Sequence, residues 1–296
     1  MTPEFEPAAG ERIADLLAAG PTTSFEFFPP KTDAAAVQLE KAVQELAPLQ
    51  PSFVSVTYGA LGSTRDRTRE VVTHINDDHP FPAMAHLTCV GHTRAEVVAL
   101  LETYAAAGVR NVLALGGDPP ADGSDPGGEF THACELLELV QAVGGFSVGV
   151  AAHPELHPRS PDRVSDRRYL AEKLAAADFA VTQFFFDAAH YVELLDELAA
   201  LGVDKPVIPG VLPVTNVAGL RRMAAMNGTD VPAALVTRLD AVADDPAAVA
   251  AIGVEVAVEL CTALLAAGAP GLHLYTMNRS SSIRAVLAAL GGGAPV

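Results

Sequence analysis

The chain has 296 residues, half of them apolar and only 6% aromatic, with no tryptophan, which suits a large core of Ala-, Val- and Leu-rich helices on buried strands. A formal net charge of −17 repels phosphate backbones and anionic bilayers, so neither nucleic acid nor membrane is an expected partner. Three cysteines without a C-x-x-C pair give no disulfide framework and no zinc module; the acidic start MTPEFEPAAGERI is unlike a signal peptide, no stretch near 18 apolar residues lacks a charge or break, and the expected location is the cytoplasm.

Residues 1 to about 20 read as an N-terminal extension with a helix. The first strand is predicted at Ser24–Phe28, and Thr32-Asp33 then opens a helix with Leu39, Val43 and Leu46 on one face, ended near Pro48. Strands follow at Phe53–Tyr58 and Ala83–Thr88. Thr93-Arg94-Ala95-Glu96 is a capping box that opens a helix carrying Val97, Leu100 and Leu101. Further strands are predicted at Asn111–Leu115, Ser147–Ala151, Ala180–Phe185, Val207–Val211 and Leu272–Tyr275. The first seven begin about 27 to 36 residues apart, roughly one βα unit, and their apolar character suits strands buried on both faces. The gap from Val211 to Leu272 is about twice as long and holds extra helical stretches, including Asp244–Gly268. Residues 291–296 form a tail. No linker composition divides the chain, so the expectation is a single (βα)₈ TIM barrel over residues 1–296 with extra helices between strands seven and eight. A doubly wound open sheet is disfavoured, because SFEFFPPK offers two prolines where a glycine-rich phosphate turn is needed, and neither dinucleotide nor P-loop fingerprint occurs.

In such a barrel the chemistry sits at the C-terminal strand ends. The polar residues there are Glu26, Thr57, Tyr58, His86, Asp118, His153, His157, Gln183, Tyr275 and Arg279. Glu26 stands among Phe25, Phe27 and Phe28; a carboxyl group that loses hydration beside aromatic rings is expected to hold its proton more tightly and to serve as a general acid. The plainer alternative is a buried glutamate that only pairs with an arginine. Asp118 alone reads as a turn aspartate, and His86 as a satisfied barrel histidine. His153 and His157 are spaced like helical zinc ligands, but each precedes a proline, which argues against a helix and against a metal site. Gln183 stands beside three phenylalanines, and an amide buried there would need partners at both of its ends. None of the four lysines, Lys31, Lys41, Lys173 and Lys205, lies in a predicted strand, which disfavours Schiff-base chemistry.

Eight segments in order, SFEFFPPK, VSVTYGALGSTRD, HLTC, LALGGDPP, VAAHPELHP, VTQFFFD, PVIPGVLPVTN and HLYTMNR, resemble the signature segments of the methylenetetrahydrofolate reductase family from about residue 22 to residue 290. The resemblance implies reduction of 5,10-methylenetetrahydrofolate to 5-methyltetrahydrofolate. It implies Glu26 as the acid that opens the five-membered ring to an N5 iminium, and Asp118 as the carboxylate that holds the pterin. It further implies substrate contacts from Gln183, Tyr275 and Arg279, the last facing the glutamate tail, and cofactor contacts from Thr57, His86, His153, His157, Asp166 and Lys173. A cationic intermediate wants nearby carboxylates and an anionic tail wants an arginine, so the residue types agree with this chemistry.

The family normally passes the hydride through bound FAD, and this chain departs at flavin positions. The L-R-G-D pattern is Leu115-Gly116-Gly117-Asp118, the A-A-Y-P tyrosine is His153, and the next helix keeps Asp166 and Lys173 but has Tyr169 and Glu172. The phenylalanine expected to stack the nicotinamide is Met223. Losing a charged hydrogen bond to a pyrophosphate costs about 1–3 kcal/mol, and a glutamate beside it adds repulsion. Arg167 and Arg168, in the same helix, are expected to replace part of that charge. The expected reaction therefore uses NADH or NADPH directly, with FAD disfavoured. The same reaction through FAD, and a catalytically silent folate-binding barrel, stand as alternatives. The expected partner is a small-molecule tetrahydrofolate derivative, and the sequence leaves the oligomeric state open.

Overall fold

The computed structural model describes residues 10–58, 63–117 and 127–291, without the side chains of residues 63–65. Eight parallel strands close on themselves in sequential order: β1 (Thr22–Phe27), β2 (Phe53–Val56), β3 (Ala83–Thr88), β4 (Asn111–Leu115), β5 (Ser147–Ala152), β6 (Phe179–Phe184), β7 (Val207–Val211) and β8 (Gly271–Tyr275). After a leading helix α1 (Ile13–Ala19), single helices follow the first six strands: α2 (Asp33–Leu46), α3 (Ser63–Asp78), α4 (Arg94–Ala106), α5 (Ala133–Val143), α6 (Arg163–Ala176) and α7 (Ala188–Ala200). The long last crossover holds three helices, α8 (Val217–Asn227), α9 (Ala233–Asp240) and α10 (Pro246–Ala266), and α11 (Ser281–Ala289) follows β8. The architecture is a (βα)₈ TIM barrel with extra helices between strands seven and eight, as the strand spacing predicts.

Strand alternation divides the core in two. Outward residues such as Phe25, Phe27, Val54, Val56, Leu87 and Val150 pack with helix residues including Val43, Leu101, Tyr104 and Leu174. Inward residues Phe53, Met84, Leu113, Phe179, Val181 and Ile208 fill the barrel with Ile13 from α1. That helix closes the N-terminal end of the barrel. Its first backbone N–H groups, on Ile13 and Ala14, donate to Asn111 Oδ1 at 2.7 Å and Ser147 Oγ at 3.1 Å, replacing a side-chain cap.

Local signals read from the sequence hold in detail. The Thr93 hydroxyl accepts from the Glu96 N–H while the Glu96 carboxylate accepts from the Thr93 N–H, the capping box that starts α4. Asn216 and Asp245 cap α8 and α10 more simply, each side chain accepting from backbone N–H groups of the first turn. By length and composition α10 could cross a membrane, although Glu255 and Glu259 interrupt its apolar run. Its Val249, Gly253, Ala257, Leu260, Cys261 and Leu264 are buried in the protein, and its Glu255 pairs with Arg238 at 2.8 Å. The inserted helices build a second small core of Leu212, Val214, Leu220, Leu235, Leu239 and Val249 against Phe184, which walls one side of the barrel mouth.

Candidate active site

A cavity of about 310 Å³ opens at the C-terminal strand ends. Leu113, Leu115, Ala151, Val181 and Leu212 form its apolar wall, and Glu26, Thr57, His86, Gln183 and Tyr275 its polar points. The sheet register brings these groups together. Glu26 is in step with Ser55 on one side and Tyr275 on the other. The flanking Phe25 and Phe27 point outward into the helix layer, so they do not surround the carboxyl group as the linear sequence suggests; Phe28 alone of the three lines the cavity.

Glu26 is 5% exposed. Its Oε2 lies 3.2 Å from His273 Nε2, 3.5 Å from His86 Nε2 and 3.5 Å from Ser55 Oγ. Burial pulls His86 down to about 4, against the raising effect of Glu26 and with a further lowering by His273. His86 is therefore neutral at physiological pH, and its buried Nε2 makes no hydrogen bond. Tyr275 donates to the Thr182 carbonyl at 2.9 Å; burial first, and then Glu26, hold its phenol well above the usual range. Its ring crosses the barrel over Gly210, where any side chain would collide, since a Cβ would sit 2.7 Å from the tyrosine ring.

The register between β6 and β7 shifts between Val181 and Phe184, so Thr182 and Gln183 both reach the cavity. Gln183 Oε1 accepts from Asn227 at 3.3 Å, and no described residue accepts from its Nε2. An amide donor is thus turned toward the cavity from a fixed carbonyl end. Met223, Met226 and Asn227 of α8, with Met277 after β8, form the rim.

A clasp holds that rim together. Asn278 accepts from the Phe28 N–H and donates to the Phe28 carbonyl, both at 2.8 Å. Thr276 donates from its hydroxyl to the Glu26 carbonyl at 2.6 Å. Met277 and Asn278 adopt φ of 50° and 55°, a left-handed pair that non-glycine residues rarely take. The clasp joins the ends of β1 and β8 beside Glu26. Arg279, which follows it, is exposed and outside the cavity lining.

His153, His157, Asp166 and Lys173 form a second group between β5 and α6. The two histidine rings meet edge to face at 4.5 Å. Burial, then His157, Lys173, Arg159 and Arg167, bring His153 down to about 3. Burial also lowers Lys173, opposed by Asp166. Of the two arginines expected to compensate, Arg167 is corrected: it is already engaged within the protein. Arg167 is 3% exposed and binds the His153, Pro154 and Glu155 carbonyls together with Asp166 and Glu197, so it secures the loop after β5. Arg168 is exposed, 3.9 Å from Glu172 and over the Tyr169 ring. Asp166 is itself engaged by Arg167, by the Ser160 hydroxyl and by the His157 N–H. The exposed Arg159 instead reaches the Gly117 carbonyl at 3.3 Å, beside the side-chain space that Gly116 leaves empty.

Asp118 lies outside the described residues. Ser24, Ser55, His273, Thr276 and Asn278 were not singled out by the sequence. His273 could have been found, because it stands two residues before Tyr275 and period-two alternation puts both inside the barrel. No group of His, Cys, Asp and Glu among the described residues is arranged to hold a metal ion.

Residues 12–291 match the family profile described as methylenetetrahydrofolate reductase. The chain is 36% identical over 269 residues to 5,10-methylenetetrahydrofolate reductase of Pectobacterium carotovorum, covering 90% of this chain and 89% of that protein. Its similarity to the Escherichia coli (strain K12) protein of the same name is 36% over 269 residues, 90% of either chain. Arabidopsis thaliana methylenetetrahydrofolate reductase (NADH) 1 is 36% identical over 298 residues, 95% of this chain and 50% of that longer protein. A Clostridium thermocellum protein that binds two copies of 5-methyl-5,6,7,8-tetrahydrofolic acid shares the fold, with a TM-score of 0.64 at 14% identity over 93% of this chain and 96% of its own. The profile match and the full-length bacterial relatives carry a firmer statement: the chain belongs to the methylenetetrahydrofolate reductase family.

Proposed function

We propose that this protein reduces 5,10-methylenetetrahydrofolate to 5-methyltetrahydrofolate, with the hydride taken directly from NADH. The observation that carries the reading is Glu26, a buried carboxyl group on the polar side of an otherwise apolar cavity at the strand ends. Opening the five-membered ring breaks a carbon–nitrogen bond, and the departing nitrogen needs a proton; Glu26 gives it. The cation left on the other nitrogen is stabilised by the carboxylate so formed and by Asp118, the pterin-holding residue that the resemblance implies. Gln183 donates from its amide to the pterin, Tyr275 closes the wall beneath it, and Arg279 at the exposed rim meets the glutamate tail. Thr57 and the neutral His86 line the cavity beside Glu26, on the side assigned to the nicotinamide.

A bound reduced nicotinamide supplies the hydride. The residues near the ends of β4 and β5 suit a dinucleotide: Arg159 and Lys173 are the cations there, His153 stays neutral and His157 borders it. The case against flavin rests on Tyr169, Glu172 and the engagement of Arg167, which remove cationic partners from a flavin pyrophosphate. The name of the plant relative, which specifies NADH, supports that nucleotide over NADPH. Retention of Asp166 and Lys173 favours the second reading, in which bound FAD relays the hydride.

An absorbance spectrum of the purified protein, followed by NADH oxidation on addition of methylenetetrahydrofolate without flavin, separates the readings. A yellow protein with an oxidised-flavin band overturns direct transfer and leaves the reaction standing. A Glu26→Gln variant is expected to lose roughly 10²–10⁴-fold in turnover while keeping folate affinity; unchanged turnover overturns the acid assignment.

A further inference from the structure

Beneath the cavity floor, Glu26 is the outer end of a buried hydrogen-bonded line whose inner members take no part in the chemistry so far described. Ser24 Oγ lies 3.2 Å from the Leu272 carbonyl and 2.7 Å from His273 Nδ1. His273 is 0% exposed, stacked 6.2 Å from Phe53, with Nε2 turned to Glu26 Oε2 at 3.2 Å. Ser55 Oγ lies 3.3 Å from the same Nε2.

The Ser24 hydroxyl has one proton and two acceptors within reach. Given to the Leu272 carbonyl, it leaves Ser24 to accept from Nδ1–H; given to Nδ1, it leaves the ring proton on Nε2. The first arrangement leaves Nε2 without a proton of its own. Nε2 and Oε2 then face each other at hydrogen-bond distance. Without a proton between them, two lone pairs would meet in a buried site, which is strongly unfavourable. Ser55 has a single proton and satisfies one of the two atoms, not the contact between them.

We propose that His273 is the positioning residue that keeps Glu26 supplied with its proton: the pair shares one proton across the Nε2–Oε2 contact, and Ser24 fixes the ring so that Nε2 always faces the carboxyl group. The shared proton is written equally as neutral acid beside neutral imidazole or as carboxylate beside imidazolium. Either form satisfies every hydrogen bond of the line. When Glu26 passes the proton to the departing nitrogen, a carboxylate faces a bare Nε2, and this repulsion drives uptake of a proton from solvent before the next turnover. Among the described residues, the other titratable groups facing the pair are the neutral His86 and the Tyr275 phenol, whose hydroxyl is engaged by Thr182. The catalytic consequence rests on the folate reaction proposed above; the proton arrangement does not.

Nitrogen-15 NMR of the ligand-free protein with labelled histidine tests the arrangement directly. The expected spectrum contains a buried ring with a protonated Nδ1, assigned by its loss in His273→Gln, whose Nε2 signal moves in Glu26→Gln and whose Nδ1 signal moves in Ser24→Ala. An unprotonated Nδ1 in the wild-type protein overturns the proposal even if folate is reduced. For function, His273→Gln retains a donor to the carboxylate but cannot hold a proton. It is expected to lower kcat at least tenfold at pH 8 with KM for methylenetetrahydrofolate within threefold, and to start the fall of kcat with rising pH at least one unit lower. An unchanged pH profile in both His273→Gln and Ser24→Ala overturns the role in turnover. Absence of any folate turnover in wild type, with the NMR signature present, sinks the reaction and spares the proton arrangement.

Discussion

His86 is buried between the Glu26 carboxyl group and the apolar lining, and burial outweighs the attraction of that neighbour. A histidine whose folded pKa is about 4, against an ordinary value of 6.5, resists a proton that the unfolded chain accepts. Its contribution to stability is therefore complete above pH 6.5, falls as the pH drops through the interval down to about 4, and is constant below that. His153, brought to about 3, acts in the same direction. Urea unfolding at pH 7 and pH 4.5 checks this: replacement of His86 by glutamine is expected to reduce the acid-induced loss by about 2–3 kcal/mol relative to wild type. An equal loss in both proteins would show that His86 takes up its proton within the folded state.

Among the elements, the turn after β8 combines an unfavourable backbone with contacts that tie two strands together. Two consecutive non-glycine residues at positive φ persist because Asn278 binds both backbone groups of Phe28 and Thr276 binds the carbonyl of Glu26. Asn278→Ala removes the clasp and leaves a β-carbon in the left-handed region; the expected cost is about 2–3 kcal/mol by thermal or chemical unfolding. Asn278→Gly relieves the backbone but not the lost clasp, so it should be the milder stability variant and still lower turnover, because the ends of β1 and β8 are no longer tied beside Glu26. Equal activity in Asn278→Gly and wild type would mean that the strand ladder alone positions the carboxyl group.

At the scale of the whole molecule, the chain carries a net charge of −17 while its proposed substrates are anions. Self-repulsion of that surface weakens with salt, so Tm is expected to rise between 50 and 500 mM sodium chloride at neutral pH. The same screening weakens the exposed cations Arg159 and Arg279 toward anionic ligands, so KM values should rise over that range. A Tm that does not respond to salt would show that the acidic groups are locally paired rather than mutually repelling.

The sequence by itself determined the barrel, because strand spacing of one βα unit and helix caps such as Thr93 and Thr32 are local signals that need no tertiary context. It also made Glu26, His86, Gln183 and Tyr275 legible as strand-end polar residues that now line one cavity. What it could not decide is which way each of them faces and what stands opposite. Alternation turned Phe25 and Phe27 away from Glu26, while closure of β8 onto β1 put His273, 247 residues distant in the chain, against its carboxyl group. Arg167 looked like a cation for a ligand and became the anchor of a loop, since carbonyls of residues 153–155 converge on it only once β5 and α6 have packed. Local patterns fix elements; contacts between strands far apart in sequence exist only when the barrel closes, and Glu26 owes its surroundings to that closure.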